Sequence, residues 1–205
     1  DRPGAFKTWV YSINAGGQVV GNYEGRYSIP GFVYSNGAFT ILGGLSADSV
    51  YPTSINVSGQ VTGYYYQNGP DGPGAHGFVY TNGILGTVTK FNAPGASDTY
   101  PASINANGQV TGSYSDGSYH GFLYSNGTFT TLDVPGAIGS WAAGINDSGQ
   151  VTGVYWDNSR SYGFVYSNGT FTTLDVPGAI GIYPTSINAS GQVTGTFQDN
   201  SSRKH

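Results

Sequence analysis

Five aromatic side chains, Trp9, Tyr51, Tyr100, Trp141 and Tyr183, each stand five residues before an asparagine in an Ile-Asn step, at Asn14, Asn56, Asn105, Asn146 and Asn188. Flat aromatic faces beside hydroxyl and amide groups suit a sugar ring. The apolar C–H face of the sugar stacks while its hydroxyls take hydrogen bonds. Reading each Ile-Asn step as a hairpin pairs these rings with Tyr23, Tyr65, Tyr114, Tyr155 and Phe197 on the following strand. Trp156 joins the set because Glu24, Tyr66, Ser115 and Gln198 fill its place in the other copies, so a scaffold does not need a tryptophan there. The competing reading is that the aromatic pairs are core plugs and bind nothing.

Other chemistries find less support. Asp116, Asp157 and Asp199 recur in equivalent loops, but a calcium site wants six or more oxygens, and turn formation by Asp explains them. His76, His120 and His205 precede Gly-Phe or end the chain at a repeat position that Pro30 and Tyr162 also fill, which argues against zinc. Glu24 is the only glutamate, so hydrolysis by paired carboxylates would rest on Asp residues from different repeats. A lyase pair such as Tyr119 and His120 is chemically possible, yet no spacing singles it out. Neither a nucleophile elbow nor a phosphate-binding Gly-Lys loop is present, and no residue pattern calls for a cofactor.

The elements that position these residues come from one repeated unit. The Ile-Asn steps recur at spacings of 42, 49, 41 and 42 residues, dividing the chain into units at about 1–42, 43–91, 92–132, 133–174 and 175–205. Each unit opens with a hairpin of the type Tyr183 to Phe197, in which Asn-Ala-Ser-Gly is a three-residue loop closed by a glycine at positive φ. One hairpin loop fixes every later cross-strand pair, so this loop pairs Asn188 with Gln192, Ile187 with Val193, Thr185 with Gly195 and Tyr183 with Phe197. A second hairpin follows around Asn-Gly, as at Asn168-Gly169, and sets Tyr166 against Phe171, Tyr124 against Phe129 and Tyr34 against Phe39. The second unit is longer through Pro70 and Pro73 and through an insertion, Ile84-Leu85-Gly86, after Asn82-Gly83.

Four short strands per unit predict an all-β fold of antiparallel propeller blades, five in number with an incomplete last blade, in a single repeat domain over 1–205. The fifth unit lacks its second hairpin, so its outer edge is expected to be open to self-association. The loops between the two hairpins differ among units, and binding residues favour such variable loops.

Charged residues are only 9% of the chain and the net charge is −4, which leaves nucleic acid without an extended basic surface. No apolar stretch is long enough for a membrane-spanning helix. The lack of any Met, even at position 1, implies a processed or excised segment. With no Cys, few Lys and Glu, 34 Gly and 17 Tyr, the composition suits an exported protein better than a cytosolic one.

The pattern Ile-Asn-x-x-Gly-Gln-Val-(Val/Thr)-Gly, followed by His-Gly-Phe-(Val/Leu)-Tyr at Gly77 to Tyr80 and Gly121 to Tyr124, resembles the bacterial extracellular HAF repeats, named for a His-Ala-Phe motif. Asp-Val-Pro-Gly-Ala and Ser-Asn-Gly-Thr-Phe-Thr-Thr-Leu fit a variant of them. Gly77 and Gly121 stand where the family has Ala, and Pro30 and Tyr162 where it has His. The resemblance covers nearly the whole chain. It implies export and a propeller-like fold, and brings no established activity or catalytic residues. The expectation is an exported, non-enzymatic binding propeller for glycan or another polar extracellular ligand. A structural, self-associating repeat protein and a polysaccharide-cleaving enzyme are the alternatives.

Overall fold

The computed structural model describes residues 4–67, 72–81 and 86–205. The Asn82-Gly83 turn, Ile84, Leu85 and Pro70 lie outside the described residues. Every regular element among those described is a strand, and the chain groups into two compact units, Asp1–Ile104 and Asn105–His205.

The first unit holds one antiparallel sheet of β1 (Lys7–Ile13), β2 (Val19–Glu24), β3 (Gly31–Ser35) and β4 (Ala38–Ile41). A second contains β5 (Ser49–Ile55), β6 (Gln60–Tyr66), β7 (Ala75–Thr81) and β8 (Thr87–Phe91), and β9 (Asp98–Ile104) follows. The second unit contains β10 (Val110–Ser115), β11 (Tyr119–Ser125) and β12 (Thr128–Leu132). Next come β13 (Gly139–Ile145), β14 (Val151–Trp156), β15 (Ser161–Ser167) and β16 (Thr170–Leu174). It ends in the hairpin β17 (Ala179–Ile187) and β18 (Val193–Asp199). Each four-stranded sheet is thus one repeat, and the four strands of the fourth repeat share a six-stranded sheet with the first hairpin of the fifth through a parallel β15–β17 pairing.

The Asn-Gly hairpins form as the sequence requires. Asn36, Asn126 and Asn168 have φ near 48–49° and the glycines after them 82–84°, the double positive φ of a type I′ turn. Tyr34 faces Phe39, Tyr124 faces Phe129 and Tyr166 faces Phe171, with ring centroids 4.8–4.9 Å apart.

The first hairpins depart from the expected register. Ile187 does pair with Val193, but a β-bulge then intervenes, so Pro184 faces Gly195, Tyr183 faces Thr196 and Ile182 faces Phe197. The same slip occurs in β1–β2, β5–β6 and β13–β14. A one-residue slip exchanges the two faces of a strand. The aromatic before the bulge therefore lies on the opposite face from the partner that the unbulged register gave it.

The core is built from the second and third strands of the first four repeats. Phe32, Phe78, Phe122 and Phe164 are almost fully buried, as are Val61, Val110 and Val151. Thr62, Thr111 and Thr152 are also buried, and each donates its hydroxyl to the carbonyl of that central Phe at 2.7–2.9 Å. The landmark asparagines join successive repeats: Asn14 Nδ2 donates to the Asn56 carbonyl, Asn105 to that of Asn146, and Asn146 to that of Asn188, at 2.9–3.0 Å.

Candidate functional site

The bulge sorts the aromatic candidates into two groups. Tyr23, Tyr65 and Tyr114 are buried, and Tyr155 is half-buried. The Tyr114 and Tyr155 hydroxyls bond Thr131 and Thr173 at 3.1 and 3.0 Å. Tyr114 stacks on His120 at 4.9 Å and Tyr155 on Tyr162 at 5.0 Å, while Tyr65 lies 5.4 Å from His76. This explains why His and Tyr share one repeat position: the residue there covers an aromatic ring. These four residues are scaffold.

Trp141 is exposed, and Trp9, Tyr51, Tyr100 and Tyr183 are half-buried. In the second unit, Trp141 lies 5.9 Å from Trp156 with the planes at 85°, and Tyr119 sits 5.4 Å from Trp141 and 6.4 Å from Trp156. Trp156 ends β14 and shares the face of Trp141 because it follows Val154, the cross-strand partner of Trp141, by two residues. With Val154, Ser161 and Tyr183 these rings line a cleft of about 290 Å³. Trp141 is 45% exposed and Tyr119 44%, which leaves aromatic surface available to a ligand. The sequence reading missed Tyr119 as a cleft residue. Its signal was alternation in β11, which sends Tyr119 and His120 to opposite faces.

In the first unit the equivalent surface is filled by tyrosines. Tyr51 stacks on Tyr64 at 5.0 Å, Tyr66 meets both edge-on, and Tyr100 meets Tyr64 at 5.2 Å. Desolvation, with Tyr66, Tyr51 and Tyr11 close by, pushes the Tyr64 phenol up to about 12. Burial likewise raises Tyr100, reinforced by its hydrogen bond with Tyr66 and by the Asp98 carboxylate, which its hydroxyl reaches at 3.2 Å. Both phenols therefore stay protonated at neutral pH and act as hydrogen-bonding groups. Trp9 carries the Lys7 ammonium 4.8 Å above its ring.

The loop aspartates serve their own turns. Asp157 Oδ1 accepts from the Ser159 and Arg160 amides, and hydrogen bonds from the Ser159 side chain and backbone hold its carboxyl down to about 2. Asp199 does the same with the Ser201 and Arg203 amides. No group of three or more His, Asp or Glu among the described residues is arranged to hold a metal.

His120 is clamped by two carboxylates, Nδ1 to Asp133 Oδ2 at 2.8 Å and Nε2 to Asp116 Oδ1 at 3.1 Å. Partial desolvation pushes its pKa down, but the hydrogen bonds and charge of Asp133 and Asp116 outweigh this, and the net shift is upward. A raised native pKa contributes stability that is complete below the unfolded value of about 6.5 and is lost as pH rises through the folded value. NMR titration of the His120 ring should thus give a midpoint above that of an unstructured histidine. His120→Gln should abolish the corresponding part of the stability change across that pH window.

No family model and no curated protein sequence matches this chain. Solved structures do match in fold. TolB from Acinetobacter baumannii superposes with a TM-score of 0.66 at 13% identity, over 97% of this chain and 53% of TolB. A chain of the nidogen/laminin complex superposes with a TM-score of 0.54 at 12% identity, over 98% of this chain and 79% of that one. The chain thus spans about half the length of TolB. At these identities the likeness concerns fold alone, and with the four-stranded antiparallel sheets it makes this chain a β-propeller protein.

Proposed function

We propose that this chain is an exported, non-enzymatic propeller that binds a glycan or another polar extracellular ligand in the cleft of Tyr119, Trp141, Trp156 and Tyr183. The observation that carries this reading is the open aromatic cleft itself, with two indoles at right angles and Trp141 exposed. A volume of about 290 Å³ lies at the small end of ligand pockets and suits one sugar ring, with the rest of a polymer outside it. Export is supported by the composition and by the HAF-repeat resemblance.

A binding role is favoured over glycan cleavage by the state of the titratable groups. The tyrosines of the first unit are shifted away from acting as bases, His120 is held between two carboxylates, and Tyr119 points to the opposite face from it.

The test is a glycan and polysaccharide screen in calcium and in chelator, read by tryptophan fluorescence. Two of the three tryptophans line the cleft, so an authentic ligand should shift the emission. Trp141→Ala and Trp156→Ala should each weaken binding about tenfold or more, by removing a stacking face, while leaving the denaturation midpoint within the range of a surface change. Unchanged affinity in both variants would overturn the assignment.

A further inference from the structure

The second repeat carries a ring where the fourth repeat has its cleft. Trp141 faces Val154 across β13–β14, and Tyr51 faces Tyr64 at the same step of β5–β6. The frames around these pairs match. Tyr51 and Tyr66 lie 6.0 Å apart with their planes at 85°, and Trp141 and Trp156 lie 5.9 Å apart at 85°. Tyr100 and Tyr183 follow in the next repeat, each five residues before its Ile-Asn asparagine. At the centre the two repeats differ, with a phenol on Tyr64 and a small aliphatic side chain on Val154.

Tyr64 shows how a ring sits in such a frame. It stacks on Tyr51 at 5.0 Å with 14° between the planes, and it meets Tyr66 and Tyr100 edge-on at 5.8 and 5.2 Å. The fold does not require a ring there, since the position reads Asn22, Tyr64, Ser113, Val154 and Thr196 through the five repeats. With Val154 in that place, the fourth repeat has a cleft of about 290 Å³. Its lining residues carry no charge, but Tyr119, Ser161 and Tyr183 carry three hydroxyls. None of these hydroxyls has a hydrogen-bond partner among the described residues.

We infer that Tyr64 fills from within the seat that Val154 opens to a ligand, and that an uncharged pyranose takes this seat, stacked on Trp141 and edge-on to Trp156 and Tyr183. The inference rests on the cleft being a binding site, and adds the place and chemistry of the bound ring. A pyranose with equatorial hydroxyls lays an apolar C–H face on the indole, as the phenol lies on Tyr51, and its rim offers several hydroxyls to the three of the lining. A phenol from a partner protein would match the stack but answer only one of those hydroxyls. An acidic sugar would meet no cation among the lining residues to offset the loss of water around its charge. Val154 is on this account the residue that decides whether the repeat binds.

The experiment follows methyl β-glucoside, methyl β-glucuronide and tyrosine amide by saturation-transfer NMR, with tryptophan emission in parallel. The chain should bind the glucoside with a shift in emission, and the other two several-fold more weakly. Val154→Tyr should weaken the glucoside by about tenfold or more, because the new ring takes the stacking face. Val154→Thr, which borrows the residue of the fifth repeat, should leave affinity within about twofold. Tyr64→Val should open a second seat on Tyr51, so adding it to Val154→Tyr should bring back glucoside binding while the emission shift stays lost. If Val154→Tyr does not fold, Tyr64→Val alone decides, through glucoside binding that survives Trp141→Ala. Failure of the glucoside to bind, or tighter binding of the glucuronide or of tyrosine amide, would overturn the pyranose assignment. Full binding by Val154→Tyr, with binding lost in Trp141→Ala, would overturn the seat while leaving the cleft as the binding site. Full binding in both variants would remove the cleft itself, and the inference with it.

Discussion

Gly153→Ala should destabilise the protein by about 3 kcal/mol or more, a large part of the roughly 5–15 kcal/mol that holds a typical domain together. The new Cβ would overlap the Trp141 carbonyl oxygen and stand 2.8 Å from Ala142 Cα and from the Phe164 ring. Overpacking against a flexible side chain can be relieved by a rotamer change, but the first two obstacles here are backbone. The same collision awaits Gly21 at Trp9, Gly63 at Tyr51 and Gly195 at Tyr183. The bulge that carries the cleft aromatic out of the core brings its carbonyl against the facing strand, and only glycine leaves room. Relief of the clash would have to undo the bulge, so Gly153→Ala should also lose ligand binding at the Trp141–Trp156 cleft. Gly169→Ala is the contrasting variant: its φ is +84° but nothing lies within 4 Å of the added atom. It should cost only about 1–2 kcal/mol of left-handed backbone strain. Urea midpoints at equal m-value separate the two. Equal midpoints would mean that the conformation of glycine, and not the close approach, is what the repeat requires.

The bulge also marks where the sequence stopped being legible. In the Asn-Gly hairpins the turn type fixes the register and nothing interrupts it, so the Tyr166–Phe171 pair can be read directly from residue order. In the first hairpins the turn was equally legible: Asn188 and Gln192 close it and Gly191 has φ +79°. The register was correct up to Ser186–Thr194 and failed at the extra residue beyond it. No turn residue announces a bulge in mid-strand. Its trace is the glycine on the facing strand, which reads equally well as a general allowance for close packing between repeats. From that single slip followed the pairing of Trp141 with Tyr155, where the structure gives Trp141 to Val154 and Trp156 and sends Tyr155 to Tyr162. Trp9, Tyr51, Tyr100, Trp141 and Tyr183 were grouped by their place five residues before the Ile-Asn asparagine, a grouping that does not depend on the register. Tyr23, Tyr65, Tyr114 and Tyr155 were included on a register that does not exist. Trp156 was chosen because the scaffold does not demand it, an argument independent of register, and it lies in the cleft.

The repeated asparagine supports the second large prediction. Asn146→Ala should cost about 2–4 kcal/mol, several times the effect of an ordinary surface change, because one side chain satisfies four groups. Its Oδ1 accepts from the Ser148 and Gln150 amides at 3.1 and 3.0 Å, which shapes the turn. Its Nδ2 donates to Gln150 Oε1 at 2.8 Å and to the Asn188 carbonyl of the next repeat at 3.0 Å. Asn146 is buried, so water cannot fully replace what the amide supplied. Asn188 provides an internal comparison. It makes the same turn bonds, to the Ser190 and Gln192 amides and to Gln192 Oε1, but it is exposed and belongs to the last hairpin. Asn188→Ala should therefore cost about 1 kcal/mol, the value of solvent-accessible turn bonds. The difference between the two variants measures the bond that joins one repeat to the next, together with the burial around it. Asn146→Asp sharpens the test, since a carboxylate keeps the two amide contacts but faces the Asn188 carbonyl and Gln150 Oε1 with oxygen. If that interlocking bond stabilises the propeller, Asn146→Asp should be nearly as damaging as Asn146→Ala at neutral pH and should recover as the carboxyl is protonated. Equal midpoints for the Asn146 and Asn188 alanine variants would show instead that the asparagine is kept for its turn alone, with the repeats held together by apolar packing.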